Sequence, residues 1–126
     1  MKCLLALVFL LNSCKDKESV VIEKNSRVIL VYMGANNNLV TDAYNSINAM
    51  EEGMIGLDAD VYVYATLAGS SPKIYKIVAD QSAEIKSTVV KSYGDQDSAN
   101  PKVMNQILQT LKGYAGDRPQ GLILWS

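Results

Sequence analysis

A chain of 126 residues has room for one small domain. Its 12 basic and 13 acidic residues nearly cancel, and no stretch gathers Lys or Arg into a basic face, which excludes nucleic acid as a partner class. There is no histidine, and Cys3 and Cys14 are the only cysteines, so these residues alone cannot run chemistry that needs an imidazole or an internal thiol. Apolar residues make up 48%, enough to build a globular core.

The N-terminus differs from everything after it. Met1-Lys2 is a short positive start, and Cys3 to Leu11 is an unbroken apolar run. That run is too short to cross a hydrocarbon core of about 30 Å, which takes roughly 20 helical residues. It fits the central part of a secretory signal, and a buried first element of the domain is the plainer alternative. Leu11-Asn12-Ser13-Cys14 resembles the lipobox of bacterial lipoproteins, with an apolar residue three before the Cys and a small residue just ahead of it. The resemblance implies a signal peptide over 1–13, cleavage before Cys14, and acylation of its thiol and new amine. Several acyl chains, each gaining about 0.8 kcal/mol per buried CH₂, give stable anchoring. Residues 14–26 then read as a polar tether, with Val20-Val21-Ile22 as a short edge strand at most. Lys15-Asp16-Lys17-Glu18 is similar to the charged tags that follow the lipidated Cys in some surface lipoproteins. The expected location is the bacterial cell envelope, and that tag points to the outer-membrane surface.

From residue 27 the pattern is that of an α/β domain. Arg27 to Met33 is a continuous β-branched and apolar run, as in a strand covered on both faces. It ends in Gly34-Ala35-Asn36-Asn37-Asn38, where Asn38 is placed to cap the helix whose apolar stripe is Leu39, Ala43, Ile47, Met50 and Met54. Asp42 suits the first turn of that helix and Gly53 its end. Asp60 to Leu67 is a second strand rich in Val and Tyr. Lys73 to Val78 and Glu84 to Tyr93 predict an antiparallel hairpin joined by a polar turn around Asp80-Gln81-Ser82. Asn100-Pro101 opens a second helix as cap and first residue, with Val103, Met104, Ile107, Leu108, Leu111 and Tyr114 as its buried stripe. Gln120 to Trp125 is a third buried-strand pattern. Because that pattern stops one residue later, at Ser126, the chain reads as a fragment of a longer protein.

These residues carry no dinucleotide fingerprint, no phosphate-binding loop, no calcium loop and no Cys/His metal cluster. Asp42, Glu51, Glu52, Asp58 and Asp60 are expected to be solvated, and the tyrosines to serve packing. The Asn36-Asn37-Asn38 loop has two readings. It caps a helix, or it offers amide donors to a ligand where a parallel strand ends.

Taken together, residues 27–126 resemble the start of the clostripain-type (C11 family) cysteine peptidases. Arg27 to Leu39 is similar to that family's opening strand and Asn-rich turn, and Ile47-Asn48-Ala49-Met50-Glu51 to its first helix. Val61-Tyr62-Val63-Tyr64 resembles its second strand, and Pro72 to Ile77 its hairpin. Asp97-Ser98-Ala99-Asn100-Pro101 resembles the start of its second helix, and Gly121 to Ser126 the strand that leads to the catalytic His. The resemblance implies a caspase-like α/β fold with a mostly parallel sheet flanked by helices, incomplete in this chain. It also implies a protein or peptide substrate cut after Arg or Lys, and calcium in some members. It places the catalytic His just after Ser126 and the nucleophilic Cys on the next strand. No catalytic residue is therefore expected here, and the 126-residue chain is expected to be inactive. Asn37 and Asn38 match the Asn pair near the active-site rim and are the candidate substrate-binding residues; Asn36 stands where many relatives have Asp. The rival reading is a non-catalytic surface lipoprotein that uses the same fold to bind protein or peptide.

Overall fold

In the computed structural model, residues 25–126 are described; the signal, Cys14 and residues 15–24 of the tether lie outside the described residues. Strand β1 (Val28–Ala35) runs two residues further than its apolar pattern predicts, through Gly34 and Ala35. Its side chains alternate between two cores because strand side chains alternate in direction. Val31, Met33 and Ala35 face helix α1 (Val40–Gly53), packing with Ala43 and Ile47. Val28, Leu30 and Tyr32 face helix α2 (Pro101–Ala115), packing with Ile107, Leu111 and Ala115. A continuous apolar run is what such double coverage requires.

The remaining strands are β2 (Asp60–Leu67), β3 (Lys73–Lys76), β4 (Thr88–Ser92) and β5 (Gln120–Trp125). The sheet order is β4-β3-β2-β1-β5. β1 pairs in parallel with β2 and β5, whereas β2–β3 and β3–β4 are antiparallel, so the sheet is mixed, with β3 alone running against the other four strands. The hairpin follows from the short strands after Pro72, which return without a crossover helix. β1 lies between the strand reached through α1 and the strand reached through α2. The two crossovers go to opposite sides, so right-handed connections place the helices on opposite faces. The chain order thus reverses at β1.

In register, Val28 sits opposite both Asp60 and Gln120, and Met33 opposite both Ala65 and Trp125. All three parallel strands therefore start at one level, the foot of the sheet, and finish together at a common rim. β5 is an edge strand, and Leu124 on it is 63% exposed. Against its buried-strand pattern, Gln120 to Leu124 are exposed, and Trp125 is the residue of this strand that packs partly into the core. No helix among the described residues is long and apolar enough to cross a membrane.

Several expectations are corrected. Asn38 does not cap α1: the N-cap position is Leu39, without a side-chain cap, and Asn37 Oδ1 accepts from Leu39 N at 2.8 Å instead. Asn100 does cap α2, accepting from Lys102 N at 2.9 Å ahead of Pro101. The hairpin connection spans 77–87, far longer than a turn at 80–82, because it folds onto α1. Glu51, expected in solvent, is fully buried there: its Oε1 accepts from Lys86 N (2.9 Å), Ser87 N (2.6 Å) and the Ser87 hydroxyl. Asn48 Nδ2 adds a bond to Ala83 O at 3.0 Å.

Asp60 is likewise buried rather than solvated. At the foot of the sheet its carboxylate accepts from Arg118 Nη1 (2.7 Å), Asn25 Nδ2 (3.0 Å) and Lys76 Nζ (3.3 Å). Burial alone would raise its pKa, but the hydrogen bonds from Arg118 and Asn25 and the Lys76 charge outweigh it and hold the carboxyl below its usual range. Arg118 also donates to the carbonyls of Asn25, Tyr114 and Ala115. One clasp therefore joins the incoming chain, β2, β3 and the end of α2.

Candidate functional site

In an open α/β sheet, ligands bind beyond the carboxyl ends of the strands, at the point where strand order reverses. Here that point is the rim of β1, between β2 and β5. A cleft of about 410 Å³ lies there. Tyr32 and Gly34 of β1 form its floor, Asn36 and Asn37 one side, Gln96 to Ala99 the other, and Leu124 to Ser126 its β5 end. A broader hollow of about 590 Å³ sits at the foot, around Arg27 and Pro119, on the wrong side of the sheet for this kind of site.

The wall over 96–99 is held by side chains that the sequence offers as core. Tyr32 OH donates to Ser98 O at 2.8 Å, and Gln96 Nε2 donates to Tyr64 OH at 2.7 Å. Thr66 Oγ1 lies 3.4 Å from Met33 O and 3.3 Å from Ser98 Oγ. A hydroxyl has one proton, so Thr66 gives it to the carbonyl and accepts from Ser98. Asp97 Oδ1 accepts from Ala99 N at 2.9 Å, and Asp97 O from Asn100 N, which fixes the approach to α2. The Tyr32 ring packs on Tyr64 beneath the cleft, 4.8 Å apart between centroids. An added Cβ at Gly34 would come to 3.4 Å from Ser98 Oγ, an ordinary van der Waals contact.

Burial, the neighbouring Tyr64 and the Asp97 charge push the Tyr32 phenol up to about 12. Tyr32 is therefore a neutral hydrogen-bond donor at working pH and a poor proton acceptor. Its neutral form is favoured by folding, so its contribution is full below pH 10, the ordinary value, and fades as pH rises towards about 12. The Tyr32→Phe variant is expected to unfold in base with less of this dependence. It loses one hydrogen bond, a net of about 0.5–1.5 kcal/mol. Amide exchange at Ser98 and Ala99, measured at neutral pH, is expected to quicken; unchanged protection there would mean that the phenol does not hold the wall.

Of the two candidate substrate-binding residues, Asn37 lines the cleft, and Asn36, which the sequence reading set aside, lines it too; Asn38 is not among the lining residues. Asp97 is the single charged residue of the lining, and sequence reasoning did not select it. Cys14 lies outside the described residues. Among the described residues, no three His, Cys, Asp or Glu side chains come together to hold a metal ion. The arrangement can bind an extended polar ligand across the ends of β1 and β5. No Cys and no His is among its lining residues.

Comparison with known proteins gives a consistent result. The model of the clostripain family of C11 peptidases matches residues 31–126. No curated protein matches the chain. Among solved structures, a B. fragilis cysteine protease is 29% identical with a TM-score of 0.69, over 80% of this chain and 87% of that one. A secreted C11 cysteine protease from Bacteroides thetaiotaomicron, in complex with an irreversible peptide inhibitor, is also 29% identical with a TM-score of 0.69; the match covers 80% of this chain but 29% of that one. An inactive zymogen C11 protease from Parabacteroides distasonis shares the fold at 22% identity and a TM-score of 0.71, over 85% of this chain and 32% of that chain.

Proposed function

The chain belongs to the clostripain family of cysteine peptidases, and from that premise we propose that the full-length protein is an envelope-anchored endopeptidase whose peptide substrate crosses the cleft at the rim of β1 and β5. The observation that carries the reading is where the cleft lies. It sits at the reversal of strand order and ends at Trp125-Ser126, beside the position where the resemblance would put the catalytic His. A Cys on a strand added at the β5 edge would stand next to that His. Two adjacent parallel strands bring thiol and imidazole to one rim, where the imidazole makes the thiolate. Asn37, with Asn38 beside it, would supply amide donors to the substrate backbone. The relative from Bacteroides thetaiotaomicron with its peptide inhibitor supports a peptide ligand.

Cleavage after Arg or Lys is part of the proposal, and Asp97 supports it as the one charge facing the cleft. The Asp97→Asn variant is expected to lower kcat/KM for Arg-ended peptides by about tenfold, the loss of roughly 1.4 kcal/mol, and to spare neutral-ended ones. An equal loss on both would assign Asp97 to the fold alone.

Anchoring through acylated Cys14 completes the proposal. It rests on Leu11 to Cys14, and a relative described as secreted supports export. Fluorogenic peptides ending in Arg or Lys, incubated with the full-length protein with and without a thiol alkylator, test the activity. Cleavage that the alkylator abolishes is expected. Cleavage that survives alkylation removes the cysteine nucleophile, and no cleavage under any activating condition removes the enzyme reading and leaves the binding lipoprotein.

A further inference from the structure

We infer that the fold turns the cleft away from whatever surface holds the N-terminus, so that an anchored protein acts on segments standing well off the membrane and not on segments lying at it. The inference rests on the anchoring reading above for its membrane, but its geometry is that of the described residues. The chain enters at the foot of the sheet. Ser26 N donates to Asp58 Oδ1 at 2.9 Å, Asn25 bonds Asp60 and Arg118 through side chain and backbone, and Val28 N donates to Pro119 O at 2.9 Å. The cleft is lined by Tyr32, Gly34, Asn36 and Asn37, towards the other end of the same strand. β1 has 8 residues and spans about 26 Å at roughly 3.3 Å per residue.

Between Cys14 and Asn25 there are eleven peptide links, with a reach of at most about 40 Å. To bring the cleft down to the bilayer, that stretch would have to run back along the full height of β1, using most of its reach. With the foot down no such path is needed, so the short link between Cys14 and Asn25 favours the foot-down orientation. The clasp matters because it fixes Asn25 at the foot; opening it would add links between Cys14 and the sheet and weaken the bias. The substrate class that follows is an extended peptide segment of a soluble protein, or of a membrane protein whose target site stands clear of the bilayer.

The test uses full-length protein carrying a fluorescent amino acid at position 37, in the cleft, or at position 117, at the foot, on vesicles with nitroxide-labelled headgroups. Attachment is through the native acyl chains. If these are absent, which sinks the anchoring reading by itself, a histidine tag at position 14 on nickel-chelating lipid holds the same point of the chain. Quenching several times stronger at position 117 than at position 37 is expected with either attachment. Equal quenching, or stronger quenching at position 37, would overturn the inference.

Discussion

Replacing Arg118 by alanine is expected to destabilise the domain by about 3–5 kcal/mol, because it strips a buried carboxylate of its main partner. Side-chain exposure is 13% for Arg118 and 10% for Asp60, so water does little to replace the lost bond. Lys76 is 41% exposed and 3.3 Å away, too solvated to take over. The arginine also closes the α2 terminus through Tyr114 O and Ala115 O, and fastens Asn25. Hydrogen exchange should rise together at the start of β2, the end of α2 and residues 25–28. Arg118→Lys should recover only part of the loss, since one ammonium cannot reach all four acceptors. The clasp also sets an acid limit. Asp60 has its pKa lowered by folding, so its contribution is present above the ordinary carboxylate value and is lost as pH falls through the lowered one. The Asp60→Asn variant should be weaker at neutral pH and lose less on acidification. Parallel acid curves for variant and native protein would rule out the clasp as their source.

The second large effect is expected at Glu51. The Glu51→Ala variant removes one acceptor from three donors, Lys86 N, Ser87 N and the Ser87 hydroxyl. A buried donor left without a partner costs about 1–3 kcal/mol, so a loss of about 3 kcal/mol or more is expected even if water reaches one of them. Glu51→Gln keeps an oxygen for these donors and should cost much less. The sign of local failure is proteolytic nicking within 78–87, the stretch that Glu51 and Asn48 fasten to α1. A Glu51→Ala protein as resistant there as the native one would show that the carboxylate is not the fastening.

The strands and α2 were legible because their signals are local. β-branched runs mark β1 and β2, and Asn100-Pro101 marks a helix start within two residues. What was not legible depends on residues far apart in the chain. Glu51 and Asp60 look like ordinary acidic residues until Ser87 and Arg118, 36 and 58 positions away, are brought to them. The start of α1 was misplaced because three consecutive asparagines offer equivalent caps, and Asn37 bonds Leu39 N while Asn38 does not cap. The same distance hid half of the cleft. Asn37 could be found from strand-end reasoning and family resemblance. The wall at 96–99 could not, because Tyr32, Tyr64 and Thr66, which hold it, carry the same sequence pattern as plain core residues.

The most direct measurement is labelling of the full-length protein with an irreversible peptide inhibitor ending in Arg, followed by hydrogen exchange of the labelled form. One thiol should be modified, on the strand neighbouring β5, with new protection at Asn36, Asn37 and residues 96–99. Labelling without protection on either side of the cleft, or protection confined to the foot around Arg27 and Pro119, would contradict the placement of the substrate at the rim.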